Sequence, residues 1–293
     1  MNKRIEGQPL IEGYSSELHK ALSGMSKRVM VGIPMTGLLR SEWVIARYSQ
    51  TIPCNWAQTD CYHWLNQYSP LNFLVADARN IIVSKCIENG FEWLFFIDHD
   101  VIIPPDTVLR MNERMLKENV PVWSGLYFTK SVPSEPLVYR GRGNSYYNKW
   151  KIGDEVWVDG LPMGVTMIHS SILKAMYDES ETYILRDAGG VEVNARRVFD
   201  TPAKVWYDPE HHNWFTEVGT EDLNWCRKVI EGNFFKKAGW PQYQRKKYPF
   251  LVDTKIYCRH IDFDGIQYPH KGEEAEFMDL KSEEAKFVGL NGR

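Results

Sequence analysis

Two aspartates and a histidine follow one of the most apolar stretches of this 293-residue chain. The stretch FEWLFFIDHDVIIPPD (91–106) contains Asp98, His99 and Asp100 directly after its aromatic and aliphatic residues. On an extended segment, residues i and i+2 point to the same side. The two carboxylates could therefore share a divalent cation, or one could bind the cation and the other a ribose hydroxyl. Mg²⁺ and Mn²⁺ need few protein ligands when a diphosphate supplies the rest. The structural alternative is an Asp-rich turn that caps the next helix.

A second carboxylate pair, Glu221 and Asp222, follows Thr220 at the start of a predicted helix over 220–233. Acidic residues there complement the helix dipole, and Thr is a good N-cap, so one interpretation is structural. The other is a general base that deprotonates an acceptor hydroxyl. A helix N-terminus tends to lower a carboxyl pKa, so we expect Asp222 to be ionised.

Single residues elsewhere also allow both a functional and a structural interpretation. His260 lies late in a predicted strand region over 250–265. It could be a metal ligand through a neutral ring nitrogen, or an ordinary strand-end histidine. Lys130 could face a phosphate, although a surface lysine is the simpler interpretation. Trp206 and Trp214 could stack on a sugar ring. Adjacent histidines point their rings apart on most backbones, so the pair at 211–212 does not predict a shared metal.

Four residues beside predicted strand ends are candidates for donor contacts. Arg79 and Asn80 could contact a nucleotide or a diphosphate, or form a salt bridge and cap at a helix start. Pro34 and Thr36 end the first predicted strand, where main-chain groups could meet a nucleobase.

Strands and helices alternate over the first 130 residues and must position these side chains. The predicted strands are 28–35, 91–98, 120–128 and the start of 72–80, as far as Asp77. The predicted helices are 38–52, 105–119 and 78–90, the last ended by Gly90 as a left-handed cap. This alternation predicts an α/β fold with a parallel-rich central sheet flanked by helices. Ligands bind at the carboxyl ends of such strands, which is where Asp98 to Asp100 lie.

The second half of the chain is less regular. It contains a predicted strand over 155–160, a strand leading into a helix over 164–177 and polar, loop-rich sequence over 178–216. We expect one domain over 28–270, with a donor-binding half (28–130) and an irregular acceptor-binding half (131–270). An N-terminal arm (1–27) and a charged, helical C-terminal tail (271–293) complete the prediction.

Bulk composition excludes several classes of protein. Apolar residues make up 43%, charged residues 25% and the net charge is −3, which does not indicate a nucleic-acid partner. Five scattered cysteines, no signal peptide and no apolar run near 20 residues predict a cytoplasmic protein without a transmembrane segment. GxxxxGK[ST], HExxH and GxSxG motifs are all absent, and GRGN (141–144) is not a dinucleotide-binding motif.

Taken together and in order, these segments resemble the GT-A fold glycosyltransferases, in particular family 2-like enzymes. The hydrophobic strand ending in Asp-x-Asp is similar to their metal-binding segment. The other similar segments are RVMVGIP (28–34), DARNIIVSKCIENG (77–90), VWSGLYFTK (122–130), DGLPMGVTMIHSSIL (159–173), GTEDLNWCRKVIEGN (219–233) and VDTKIYCRHI (252–261). Residues 178–216 and the long link 233–250 depart from the family pattern, so we expect them to shape acceptor choice.

The resemblance implies a sugar transferase that uses a nucleotide-sugar donor, a UDP- or GDP-sugar, and Mn²⁺ or Mg²⁺. Asp100 and His260 would be metal ligands, Asp222 the base of an inverting transfer to a glycan or other hydroxyl acceptor, and Glu221 an acceptor contact. The implied donor-binding residues are Pro34, Thr36, Arg79, Asn80, Asp98 and His99.

Three alternatives remain open from the sequence. A retaining transferase of the same fold would use Asp222 at the donor sugar. A nucleotidyltransferase usually has a Gly-rich, basic loop after the first strand, where this chain has PMTGLLRSEW (34–43) with one Gly and one Arg. A non-catalytic carbohydrate-binding protein would not need the set Asp98, Asp100, Asp222 and His260.

Overall fold

The structure, a computed structural model, describes residues 28–141, 147–186, 190 and 192–278. The predicted N-terminal arm (1–27) and residues 279–293 of the predicted tail lie outside the described residues. The described chain is a mixed α/β structure in which helices flank a central six-stranded sheet.

The central sheet combines strands from both halves of the sequence. Its order is β1 (Val29–Gly32), β2 (Trp93–Ile97), β6 (Val165–His169), β4 (Val122–Leu126), β11 (Phe250–Tyr257) and β5 (Glu155–Val158). The pairs β1–β2 and β4–β11 are parallel, whereas β6 is antiparallel to both β2 and β4, and β5 is antiparallel to β11. The sheet is therefore mixed rather than parallel-rich in its pairing. Strand–helix alternation predicted the shared direction of β1, β2 and β4, but it could not show that β6 inserts between β2 and β4.

Helices cover both faces of this sheet. They are α1 (Ser41–Tyr48), α2 (Gln58–Leu65), α3 (Val75–Glu88), α4 (Thr107–Lys117), α5 (Ser170–Glu179), α6 (Glu221–Glu231), α7 (Phe234–Lys237) and α8 (Pro241–Gln244). Helix α3 ends before Gly90, whose φ of 65° confirms the predicted left-handed cap.

Strand β2 contributes to a separate hydrophobic core on each face. Leu94 and Phe96 pack in the core that contains residues of α3, α5 and α6, while Trp93, Phe95 and Ile97 pack in the core that contains residues of α1, α2 and α4. Side chains alternate between the faces of a strand. A strand buried on both faces reads as a continuous apolar run, which explains why 91–97 was recognisable.

Two predictions of secondary structure are wrong. The segment predicted as a strand from residue 72 contains no strand there, because α3 begins at Val75 and Asn72 turns the chain with a φ of 62°. The loop-rich region 178–216 contains two hairpins: β7 (Thr182–Arg186) with β8 (Glu192–Arg196), and β9 (Ala203–Asp208) with β10 (Asn213–Val218). Most of their residues are not buried, so they lack the apolar runs that identify core strands. Of the predicted helical tail, Glu273–Phe277 forms a 3₁₀ helix.

A small second sheet positions the Asp-x-Asp segment. Strand β3 (Val101–Ile102) pairs with β12 (Arg259–Ile261), which pairs with β13 (Gln267–Tyr268). His260 lies opposite Val101 in this register, and the Ile261 N–H donates to the Asp100 carbonyl at 2.8 Å. The pairing brings His260, 160 residues later in sequence, beside Asp100.

Candidate active site

Asp98, His99 and Asp100 lie in the short connection between β2 and β3. The Asp98 N–H donates to the Gly164 carbonyl at 2.8 Å, and the Asp98 carbonyl accepts from the Trp43 indole at 2.9 Å and from the Val101 N–H at 3.1 Å. Neighbouring elements thus fix the backbone of this connection, as expected for a segment at the carboxyl end of a strand.

The Asp98 carboxylate is bound to a buried arginine. Arg79, 2% exposed, donates through Nη2 to both oxygens of Asp98 at 3.0 and 3.1 Å and through Nε to Glu221 at 3.1 Å. Burial acts to lower the pKa of Arg79, but Asp98 and Glu221 outweigh it and raise the pKa. Burial raises the pKa of Asp98, against the opposing effect of Arg79. Arg79 therefore joins the Asp-x-Asp segment to the start of α6.

Asp100 is bound to a cation that the sequence left ambiguous. The Lys130 Nζ donates to Asp100 Oδ2 at 2.6 Å, and both side chains are about one third exposed. Burial acts to raise the pKa of Asp100, but His260 and Lys130 together lower it. The carboxylate is thus held ionised at the protein surface, where a ligand can reach it.

One ring nitrogen of His260 is held by a backbone carbonyl. Its Nδ1 donates to the Phe128 carbonyl, and its ring packs edge-on against Tyr127 with 4.9 Å between centroids. Burial lowers the pKa of His260, against the opposing effect of Asp100, so the neutral ring is favoured. Metal-binding histidines typically donate their second ring N–H to a carbonyl or carboxylate. With the proton on Nδ1, Nε2 keeps its lone pair for a ligand.

The residues present fit a divalent cation that also binds a diphosphate. Asp100 supplies a carboxylate oxygen and His260 a neutral nitrogen, and Mg²⁺ is commonly bound by one or two side chains plus substrate phosphates. The described residues contain no group of three or more His, Cys, Asp or Glu side chains placed to hold a metal ion. A cation at Asp100 and His260 would therefore depend on a phosphate ligand for its remaining positions.

Local charge favours such a cation. The carboxylates of Asp98, Asp100, Glu221 and Asp222 face two cationic side chains, Arg79 and Lys130. Four negative charges against two positive ones leave an excess of two when all four carboxylates are ionised. A second positive group beside Asp100 is stabilised by this excess.

A surface cavity opens beside these residues and contains about 520 Å³ of unfilled space, its open mouth included. Its lining includes Thr36, His99, Asp100 and Lys130, together with exposed Phe263. His99 is held by the Pro34 carbonyl at 3.2 Å and by the Thr36 hydroxyl at 3.3 Å. The structure thus brings together the segment that follows β1 and the Asp-x-Asp segment at one cavity.

Asp222 lies in the first turn of α6, next to the Arg79 partner Glu221. Burial, followed by the charge of Glu221, raises the pKa of Asp222 to about 6, although its carboxylate accepts from the Leu223 N–H at 2.7 Å. The expectation that the helix N-terminus would lower this pKa is wrong, because desolvation and Glu221 outweigh the helix. Thr220 occupies the N-cap position, but its side chain forms no capping hydrogen bond to the helix backbone.

Tyr127 and Gly164 connect the carboxylates and were not recognised from the sequence. The Tyr127 hydroxyl accepts from the Gly164 N–H at 2.7 Å, and burial followed by Asp98 and Asp222 raises the Tyr127 pKa. A Cβ on Gly164 would lie 2.6 Å from that hydroxyl and 3.1 Å from Asp98 Oδ2. A Gly at the start of a predicted strand is a signal of close backbone approach, although it does not identify the partner.

One predicted donor contact is placed elsewhere. Asn80 is buried and donates to the Tyr183 hydroxyl at 2.8 Å and to the Phe199 carbonyl at 2.7 Å, and its Oδ1 accepts from the Phe199 N–H. Its position supports a role in anchoring the residues after β8, and not the predicted contact with a nucleotide. Arg79 is likewise too buried to lie on the cavity surface, so its contacts support positioning of Asp98 and Glu221.

None of the helices in the described residues is both long and apolar enough to cross a membrane. No protein-family model matches the sequence, and no curated protein matches it either.

Solved structures show only distant similarity. A197 from STIV is similar with 17% identity and a TM-score of 0.46, over 82% of this chain and 88% of A197. S. aureus TarS is similar with 13% identity and a TM-score of 0.33, over 51% of this chain and 29% of that protein. The TarS 1–349 complex with UDP has the same identity and TM-score, over 53% of this chain and 50% of that one. Similarities below a TM-score of 0.5 do not assign a function to this chain.

Proposed function

We propose that this chain is a metal-dependent glycosyltransferase that moves a sugar from a nucleoside-diphosphate sugar to a hydroxyl acceptor. The observation that carries the proposal is the position of His260 next to Asp100, beside the cavity. The Phe128 carbonyl fixes the tautomer of His260 that leaves Nε2 available as a ligand. A carboxylate and a neutral imidazole at the end of a strand suit Mn²⁺ or Mg²⁺ held together with a diphosphate.

The donor would bind in the cavity lined by Thr36, His99, Asp100 and Lys130. Asp100 and His260 would hold the cation, which would neutralise charge on the departing diphosphate. Lys130 lies beside Asp100 and can donate to the same diphosphate, because its ammonium carries three N–H donors. Stabilising the leaving group's charge is the main electrostatic demand of this reaction.

Asp222 would accept the proton of the acceptor hydroxyl. The acceptor oxygen forms a bond to the anomeric carbon as the bond from that carbon to the diphosphate oxygen breaks. The nucleoside diphosphate leaves, the proton goes to Asp222, and the configuration at the anomeric carbon inverts. A carboxyl pKa of about 6 suits a base that must be ionised at neutral pH and still bind a proton well.

The experiment that tests this proposal does not require a known acceptor. The protein is incubated with Mn²⁺ and UDP-, GDP-, CDP- or dTDP-sugars, and release of nucleoside diphosphate by transfer to water is measured. We expect release from one nucleotide class in the wild-type protein and a loss of at least about 100-fold in Asp222→Asn. Asp178→Asn is a matched control, because Asp178 pairs with Lys174 on the surface of α5.

The products also separate the alternatives. Release of a sugar phosphate and a nucleoside monophosphate would identify cleavage within the diphosphate and contradict glycosyl transfer. Unchanged release in Asp222→Asn would remove Asp222 as the base. Retention of the anomeric configuration in the product, measured by NMR, would favour the retaining alternative. No release from any donor, with sugar binding intact, would favour a carbohydrate-binding protein.

A further inference from the structure

The hairpin formed by β9 and β10, called here the aromatic hairpin, exposes an unusual amount of aromatic surface. None of its described strand side chains is buried, and Trp214 is 72% and Phe215 38% exposed. Its ring contacts and side-chain hydrogen bonds among the described residues are made within the hairpin itself. A two-stranded hairpin has marginal stability alone, and clustered exposed apolar side chains commonly mark a binding surface.

The strand register divides these side chains between two faces. On one face, Trp206 lies opposite Phe215 with stacked rings 5.9 Å apart, flanked by Lys204, Asp208 and Asn213. On the other face, Tyr207 and Trp214 contact edge to face at 5.5 Å beside the aliphatic Val205 and Val218. The first face therefore combines an aromatic platform with polar groups at its edges, whereas the second is almost entirely apolar.

The root of the aromatic hairpin is attached to the helix that contains the proposed base. The Gly219 N–H donates to the Pro202 carbonyl at 2.9 Å and closes the hairpin directly before α6. On the other side, Asp200 accepts from the Asn224 amide at 2.8 Å and from Lys228 at 3.1 Å, both residues of α6. Asp222 is thus three residues from the hairpin root, and the chain runs directly from the hairpin into the helix that contains the proposed base.

We propose that the Trp206–Phe215 face of the aromatic hairpin binds a glycan acceptor and delivers its reactive hydroxyl towards Asp222. The inference rests on the proposed function, because it assigns the acceptor as a saccharide chain. A sugar ring has an apolar C–H face that packs on an aromatic ring and an equatorial edge of hydroxyls that needs hydrogen-bond partners. The register places Lys204 and Asn213 on the same face as the two rings, where they can supply such partners. Lys204 Nζ lies over the Trp206 ring, 4.9 Å from its centre, so a sugar on this face would contact the ammonium as well as the ring.

The apolar Tyr207–Trp214 face offers a control of the same kind within the same hairpin. Trp206→Ala and Trp214→Ala each remove one indole from a cross-strand aromatic pair, so loss of hairpin stability would affect both. Binding is measured on a microarray of immobilised oligosaccharides. We expect the wild-type protein to bind a subset of them, Trp206→Ala to weaken that binding about tenfold or more, and Trp214→Ala to change it less than about twofold.

A conservative variant separates recognition from folding. Trp206→Phe keeps an aromatic face, so we expect it to retain binding within about threefold of the wild-type protein. Equal losses in Trp206→Ala and Trp214→Ala, or no change in either, would overturn the proposal. So would an absence of glycan binding by the wild-type protein. If Trp214→Ala alone converts a dimer to a monomer and glycan binding is unaffected by Trp206→Ala, the hairpin binds a second copy instead.

Nucleotide binding, measured in the same variants as a thermal shift with UDP and GDP in Mn²⁺, keeps this inference separate from the proposed function. The wild-type protein could bind a nucleotide and release nucleoside diphosphate from a sugar donor, yet bind no glycan. That result would contradict only the role of the aromatic hairpin. A protein that binds glycans through Trp206 but no nucleotide contradicts only the transferase proposal.

Discussion

At the scale of single residues, the account depends on side chains whose neighbours set their charge. Asp98 pairs with buried Arg79, and Asp100 is partly exposed beside Lys130. Burial and the charge of Glu221 raise the pKa of Asp222. Three carboxyls of similar intrinsic acidity thereby differ in pKa, which is raised for Asp98 and Asp222 and lowered for Asp100. The sequence identified these carboxylates and His260 as candidates. It left Lys130 open between a phosphate contact and a surface lysine, and it did not identify Tyr127, because the partners of both side chains are distant in the chain.

Asp222 gives a prediction about pH. Its pKa of about 6 means that donor turnover should rise with pH through about 6, since only the ionised carboxylate accepts a proton. The rate of nucleoside diphosphate release, measured from pH 4.5 to 8.5, should show this limb, and a profile that is flat through pH 6 would contradict it.

The same residue predicts a pH-dependent change in stability. Because folding raises the pKa of Asp222 above its unfolded value, the folded state favours the protonated carboxyl. This contribution is fully present below the unfolded pKa and is lost as pH rises through about 6. Asp222→Asn, which stays neutral, should therefore raise the melting temperature at pH 8 but not at pH 4. An equal change in melting temperature at both pH values would show that ionisation of Asp222 does not destabilise the folded state.

Lys130 gives a third prediction at this scale. Its ammonium donates to Asp100 Oδ2 and lies where it can also donate to a bound diphosphate. Lys130→Met should therefore weaken the binding of UDP or GDP in saturating Mn²⁺. Calorimetric titration of the nucleotide measures this change. Tighter nucleotide binding in Lys130→Met would instead show that Lys130 competes with the metal for Asp100.

At the scale of elements, the site is made by the ends of strands. The Asp-x-Asp segment follows β2, His260 lies on β12, and the start of β6 packs against both Tyr127 and Asp98. The strand at 93–97 and helix α6 could be predicted from the sequence because a continuous apolar run and an acidic first turn are local signals. The hairpins of 182–218 could not be predicted, because most of their residues are not buried and the strands lack the continuous apolar runs that identify core strands.

Gly164 tests the close packing between β6 and the site. A Cβ there would lie 2.6 Å from the Tyr127 hydroxyl and 2.9 Å from its ring carbon Cζ. We expect Gly164→Ala to lower the free energy of unfolding by about 1–3 kcal/mol and to reduce donor turnover. Chemical denaturation checks the first effect. Tyr127→Phe added to Gly164→Ala should recover part of the stability, and no recovery would indicate a different collision.

At the scale of the whole molecule, Arg79 joins the two halves of the sequence. It lies on α3 in the first half and binds Glu221 in the second, while also holding Asp98. The order of motifs predicted that these segments would meet, since their family resemblance placed them in one site. The position of β6 between β2 and β4 was not predictable, because a local pattern contains no information about pairing between distant strands.

Arg79→Ala should be strongly destabilising, because it leaves buried Glu221 and half-buried Asp98 without their cation. Breaking a buried ion pair typically costs about 3–5 kcal/mol. Arg114 is a matched control, since it is buried and paired with Asp253 away from the cavity. Both alanine variants should lower the melting temperature, but only Arg79→Ala should also weaken nucleotide binding under conditions where both variants remain folded. Similar nucleotide affinities in the two variants would restrict Arg79 to a role in stability.

The measurement that tests the central claim most directly is a thermal shift with UDP, GDP, CDP and dTDP, with and without Mn²⁺. A ligand at a hundredfold excess over its dissociation constant stabilises the folded state by about 2.7 kcal/mol. We predict that one nucleotide raises the melting temperature only when Mn²⁺ is present, and that Asp100→Ala and His260→Ala both abolish the shift while Asp178→Asn retains it. A shift of equal size without metal or in Asp100→Ala, or no shift with any nucleotide, would contradict a metal-dependent nucleotide site at Asp100 and His260.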